Sequence, residues 1–259
     1  MRYIATQLGK LLVNFLEKPS RNYVNFSVTN VEVLSKILQP GDVLLVEGNF
    51  RISMAIKYLT QSTWSHSAIY IGEALGEKTE AGELKSLVEA DLKEGVVAVP
   101  LSAYAAYNTR ICRPVKLRED DREKLVNFII DRIGYHYDMK NVLDLLRYLM
   151  PTPPVPVRWR RRLLALGSGD PTRAICSTLI AQAYQSIFYP ILPEIKKVKA
   201  TGQYYGTYTL KEIMHIRHHS LFTPRDFDLS PYFMVVKPTI ESGFDYKDLV
   251  WEVNEEDMN

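Results

Sequence analysis

A chain of 259 residues, 46% hydrophobic and 24% charged, has the composition of a folded globular protein and excludes intrinsic disorder. Its 32 lysines and arginines face 30 aspartates and glutamates, so no global field draws it to nucleic acid, and its length suits a single domain with extensions. Two cysteines, Cys112 and Cys176, are too few for a disulfide framework and fit a reducing compartment. With no continuous apolar stretch near the N-terminus and no run of about 18 apolar residues elsewhere, a soluble, cytoplasmic chain is expected.

Ile4, Leu8, Leu11, Leu12 and Phe15 recur at helical spacing, which predicts an amphipathic helix over 3–17 stopped near Pro19. A second helix is expected over 31–38, followed by the turn Gln39-Pro40-Gly41-Asp42 and a buried strand at 43–46. Asp42 is read as a turn-shaping residue. Residues 51–60 have a helical pattern, and 67–72 are β-rich and end on a glycine, which places His66 at the mouth of a strand. A charged loop over 73–83 leads to strands at 86–90, 95–100 and 109–115, read together as a meander.

Helices are expected over 119–133 and 141–149. Four prolines between Pro151 and Pro156 then end all periodicity, which makes 151–172 a loop or lid. From Cys176 onward apolar residues again repeat at helical spacing, so the cysteine opens a helix. Two short pieces, a histidine-rich patch at 215–219, a strand around 233–236 and an acidic tail from Glu252 complete the chain.

A thiol at a helix N-terminus beside an imidazolium has its pKa lowered from about 8.5 and becomes a nucleophile. Cys176 has the helix position, and His66 and Glu89 lie at matching places on two successive expected strands. A carboxylate there would hold the imidazole in the correct tautomer. Taken singly, a buried cysteine is an inert small hydrophobe and a strand histidine a hydrogen-bonded core residue, and Glu89 alone reads equally as a solvated strand-end carboxylate.

The local motifs tip the balance. Gly41-Asp42-Val43-Leu44-Leu45, Trp64-Ser65-His66-Ser67-Ala68-Ile69-Tyr70-Ile71-Gly72, Val88-Glu89-Ala90 with Gly95-Val96, Tyr137-Asp138 and Cys176-Ser177-Thr178-Leu179-Ile180 follow one another along the chain. In that order they resemble the permuted NlpC/P60 peptidase-like proteins of the YiiX/YebB type, over about 38–190. The resemblance implies an α+β fold: a circularly permuted papain-like fold, with an antiparallel sheet or small barrel packed on the cysteine helix. It makes 38–190 the core of a single domain, with extensions at 1–37 and 191–259.

It further implies a Cys176, His66 and Glu89 triad, with Tyr137, Ser65 and Ser177 at the substrate or oxyanion site, and no metal and no cofactor. Family members often carry Cys-Ser-Glu where this chain has Cys176-Ser177-Thr178, which puts substrate analogy in doubt more than catalysis. The activity implied is hydrolysis of a peptide or amino-acid-linked amide through an acyl-enzyme. A thioesterase or lipid acyltransferase and a non-catalytic ligand-binding module stay open. The expected partner is a small peptide, amino-acid amide or lipid-like acyl substrate, with peripheral membrane contact through the Arg-Trp-rich 151–162. Oligomeric state is not legible.

Two further features have bland readings. His215, His218 and His219 would share a helix face and suit zinc, but no carboxylate or cysteine completes a known spacing, and a basic solvated face explains them. Trp159 among Arg158, Arg160, Arg161 and Arg162 suits phosphate or an anionic lipid surface, and equally a cap over the active-site groove.

Overall fold

The computed structural model describes residue 18 and residues 30–91, 93–136, 175–199, 210–215 and 222–248. The expected helices at 3–17 and 141–149, the proline-rich 151–172 and the tail from Glu252 lie outside the described residues.

Asn30 opens the first described helix, α1 (Val31–Ile37), by accepting the Glu32 N–H at 2.9 Å, which satisfies one of the orphan donors of a helix start. The turn that follows is built on Asp42, a fully buried carboxylate. One of its oxygens accepts the Gln39 N–H at 2.9 Å. Arg113 reaches it from across the sheet, Nε to Oδ1 at 2.9 Å and Nη2 to Oδ2 at 2.7 Å, and also donates to the Ile37 carbonyl. Gly41 sits at φ +93°, a backbone conformation costly for any residue with a Cβ, and its carbonyl accepts the buried Tyr184 hydroxyl. The turn is therefore a polar knot tying a helix, a strand and a later helix together, and Asp42 is structural, as its place in the turn predicts.

From this knot β1 (Val43–Val46) enters the core with all four side chains buried. Val43 and Leu45 face one apolar layer, and Leu44 and Val46 the other. After α2 (Arg51–Thr60) come β2 (His66–Tyr70), β3 (Leu87–Asp91), β4 (Gly95–Val99), a 3₁₀ turn (Leu101–Tyr104) and β5 (Thr109–Pro114). The rest comprises α3 (Glu119–Ile130), α4 (Ile175–Ser186), the hairpin β6 (Glu194–Lys199) and β7 (Leu210–His215), α5 (Pro224–Asp228), β8 (Phe233–Val236), α6 (Pro238–Glu241) and a 3₁₀ turn (Tyr246–Asp248). The elements expected over 31–133 and from Cys176 are found with the expected types, and their boundaries move by at most three residues. His215 ends a strand rather than lying on a helix face, and the 3₁₀ turns, α5 and α6 were not expected.

The order along the main sheet is β4-β3-β2-β1-β5-β8, with every pairing antiparallel. This corrects the expected meander. It holds from β1 to β4, but β5 crosses back and pairs with the far side of β1, Val43 opposite Cys112 and Leu44 opposite Ile111. The reason is the burial of β1: a strand covered on both faces cannot leave one edge of N–H and C=O groups unpaired. Of the two forms the resemblance allows, the open sheet is the one observed, with β4 and β8 at its edges. At the outer edge Gly95 (φ +79°) lets chain 134–136 lie against β4, where a Cβ would stand 2.3 Å from the Tyr135 carbonyl.

One face of the sheet carries α4, which packs on β2 and β3 through Leu179, Ile180, Ala183 and Tyr184. The other face carries α1 and the 3₁₀ turn with Leu101 and Tyr104. Asp42→Ala removes the anion at the centre of the knot and leaves Arg113 without its carboxylate. A loss of about 3–5 kcal/mol is expected in equilibrium urea unfolding, the scale of breaking one partner from a buried ion pair. A loss under about 1 kcal/mol would show that the knot is dispensable.

Candidate active site

The hydrogen-bonded ladder between β2 and β3 is only two residues long, Ile69 opposite Val88 and Tyr70 opposite Leu87. Toward the start of β2 the strands part, so that His66, Ser67 and Ala68 on one strand are left unpaired with Glu89, Ala90 and Asp91 on the other. Into this opening comes the first turn of α4, with Cys176 as its second residue. A splayed ladder thus makes room for a helix N-terminus beside a strand histidine, so the two layers on opposite faces of the sheet meet at His66.

Four side chains converge. His66 Nε2 hydrogen-bonds Glu89 Oε2, and the Tyr104 hydroxyl donates to the same carboxylate oxygen. The Cys176 thiol, 5% exposed, hydrogen-bonds His66. Its other polar neighbour is Ser67, whose buried hydroxyl has no ordinary nitrogen or oxygen partner among the described residues and instead favours the ionised sulfur. With Nε2 taken by the carboxylate, Nδ1 is the ring nitrogen left for the sulfur.

The charges hold one another in place. For His66, burial disfavours the charged ring, but the Cys176 thiolate and the Glu89 carboxylate outweigh it and raise its pKa well above the usual value. Burial pushes the Cys176 thiol up, and the facing imidazolium, with hydrogen bonds from His66 and Ser67, brings it net below an ordinary thiol. Glu89 follows the same logic: burial raises it, and the His66 charge and the bonds from His66 and Tyr104 lower it. Tyr104, buried beside that anion, is held firmly in its neutral, donating form. Cys112 stands in contrast, since it is fully buried in the sheet core and burial holds it as an inert thiol.

His66, Glu89 and Cys176, singled out from the sequence, are therefore brought together. Ser65 is buried one residue before β2 and accepts the Gly48 N–H at 3.0 Å. Ser177, also buried, donates to the Phe222 carbonyl at 2.8 Å. Both hydroxyls thus tie neighbouring loops to the site. Tyr137 and the 151–162 segment lie outside the described residues. His215 closes the strand β7, while His218 and His219 lie outside the described residues. Among the described residues no three His, Cys, Asp or Glu side chains are grouped to hold a metal ion.

Tyr104 was not legible as a site residue. It sits in a four-residue turn without periodicity, and its partner is 15 positions away. The frame around Trp64 was equally silent: its Nε1 donates to Asp228 Oδ2 at 3.1 Å, and Arg110 pairs with Asp228 at 2.7 Å while stacking 4.9 Å from the indole. These contacts pin the loop that delivers His66. A cavity of about 690 Å³ opens beside them, lined by Lys57, Tyr58, Trp64, Arg110 and Asp228, and neither Cys176 nor His66 lines it.

Residues 37–148 match the model of a family described as permuted papain-like amidase enzymes, YaeF/YiiX, C92 family. The matched stretch spans less than half of the chain. It holds His66, Glu89 and Tyr104, and it ends before the helix of Cys176. Among solved structures the chain is similar to metalloprotein yiiX from Escherichia coli O157:H7, at 16% identity and a TM-score of 0.43, over 77% of this chain and 96% of that one. No curated protein matches the chain.

At about pH 6, iodoacetamide is expected to label Cys176 and leave Cys112 intact. In His66→Ala the Cys176 reaction should move to the pH of an ordinary or more weakly acidic thiol, because burial is then unopposed. Peptide mass spectrometry of the labelled chain reads both, and equal, slow labelling of the two thiols would contradict the assignment.

Proposed function

We propose that this chain is a thiol hydrolase that cleaves an amide bond through an acyl-enzyme intermediate. The observation that carries the reading is the contact of the Cys176 thiol with His66, whose other nitrogen is bound by Glu89. The family description as amidases supports the choice of an amide.

The thiolate attacks the substrate carbonyl carbon, and negative charge moves to its oxygen. The backbone N–H of Cys176, in the first turn of α4, is among the groups a helix start leaves without an intrahelical partner and is suited to receive that charge. Tyr137, in the same role, is part of the proposal on the strength of the resemblance. As the tetrahedral species collapses, the C–N bond breaks and His66 gives its proton to the departing amine. Water then enters, His66 takes its proton, the hydroxide adds to the thioester carbon, and Cys176 leaves as the thiolate. Glu89 keeps the ring oriented and stabilises the imidazolium in both halves.

Peptide or amino-acid amides are the proposed substrates. The two thiols are unbridged, which suits work in a reducing, cytoplasmic compartment. A thioester or lipid acyl group would follow the same steps with a different leaving atom.

The test is a panel of aminoacyl p-nitroanilides and short-chain acyl thioesters, assayed with the wild-type chain and with Cys176→Ala. Release of p-nitroaniline that falls by at least about 10³-fold in the variant is expected, with a mass increase equal to the acyl group on wild-type Cys176. Faster turnover of the thioesters with no release from any anilide would reassign the leaving group. Equal rates for wild type and variant would overturn the thiol mechanism.

A further inference from the structure

Tyr104 closes its 3₁₀ turn on the face of the sheet away from α4, and that turn is held firmly. Its backbone donates from Ala103 to Pro100 at 3.2 Å and from Tyr107 to Tyr104 at 3.0 Å, and Ser102 N–H is tied to Glu83 at 3.0 Å in the long loop between β2 and β3. The Tyr104 ring is 7% exposed, with centroids 6.3 Å from His66 and 6.3 Å from Tyr107, the latter edge-on. Packing alone would be served by phenylalanine. The hydroxyl instead is donated to Glu89 Oε2, the oxygen that also meets His66 Nε2.

We infer that Tyr104 is a positioning residue of this site: its hydroxyl fixes the Glu89 carboxylate and, through it, the His66 ring against the Cys176 thiol. The inference rests on the thiol-hydrolase reading. A carboxylate turns about its terminal bond at little cost, so one donor leaves the angle presented to the imidazole loosely defined. Two donors on one oxygen, coming from β2 and from the 3₁₀ turn, define it. Tyr104 needs no proton transfer for this role, because its phenol stays neutral beside the anion.

The same bond acts on charge. The groups facing Glu89 are His66 from β2 and Tyr104 from the turn, with Cys176 from α4 beyond the imidazole and Tyr107 beyond the phenol. Burial raises Glu89, and the His66 charge with the hydrogen bonds from His66 and Tyr104 brings it net below its ordinary value. Without the hydroxyl the carboxylate takes up a proton at higher pH, and the imidazolium loses its counterion there. The thiolate–imidazolium pair is then less favoured over the neutral thiol and imidazole. The acid limb of Cys176 reactivity must therefore move upward in pH, a change that loss of packing alone does not produce.

The test reads the pH dependence of iodoacetamide labelling of Cys176 in wild type, Tyr104→Phe, Glu89→Gln and the double variant, with thermal unfolding of each. In Tyr104→Phe the rate near the lower end of the profile should fall about three- to tenfold, with convergence on wild type at alkaline pH. In the Glu89→Gln background the same substitution should change nothing further. A Tyr104→Phe profile superimposed on wild type overturns the positioning role while leaving the thiol-hydrolase reading intact. A wild-type Cys176 that itself titrates as an ordinary thiol overturns that reading instead. If Tyr104→Phe does not fold, Tyr104→Gln, which can still donate to the carboxylate, must retain the wild-type profile. Loss of fold in both makes Tyr104 a packing residue and overturns the inference.

Discussion

A thiolate, an imidazolium and a carboxylate cannot be buried one at a time beside an apolar core. Each alone would lose hydration worth several kcal/mol and would neutralise instead. At the parted ends of β2 and β3 they are held as a set, Cys176 buried and His66 and Glu89 partly buried, and each supplies the field that keeps its neighbour charged. The direction of every shift follows. Burial works against the charged form at all three positions, and at all three the neighbours prevail. Cys112, buried in the same sheet, shows the opposite outcome: burial and the Asp228 and Asp42 charges outweigh Arg110 and hold the thiol neutral.

The remainder of the fold makes that set possible. The Asp42 knot joins the start of β1 to β5 through Arg113 and to α4 through Tyr184, so it fixes the helix that carries Cys176 relative to the strand next to the one that carries His66. β1, bonded on both sides, is the rigid reference for the sheet. Only the β2–β3 ladder is short, and it is short where the helix N-terminus must enter. Trp64, held by Asp228 and stacked under Arg110, fixes the approach to His66 from the outer side. The site is thus built where one ladder inside the sheet stops short.

Much of this was legible in the sequence because it is periodic or local. The four apolar residues of β1, the β-rich run after His66 and the helical repeat after Cys176 each name their element, and the residue types at those element ends name the chemistry. The resemblance supplied the third member, Glu89, which spacing alone leaves as a strand-end carboxylate. What stayed hidden depends on contacts between distant segments. The return of β5 to the far side of β1 is a matter of edge satisfaction that no local pattern encodes. Tyr104 lies in an aperiodic turn, and the Trp64–Asp228 bond spans 164 positions. Ser65 and Ser177 stand beside site residues in the sequence, yet their hydroxyls are turned to the Gly48 N–H and the Phe222 carbonyl, which only the fold reveals.

The central claim is that Cys176, His66 and Glu89 titrate as one coupled unit. It is tested most directly by following the His66 ring through pH with nuclear magnetic resonance, in the wild-type chain and in Cys176→Ser. The account predicts a wild-type ring that stays protonated well above the ordinary histidine range and loses most of that elevation when the thiol is replaced. A ring that titrates in the ordinary range in both chains would contradict it, and would leave the three residues as neighbours without a shared charge.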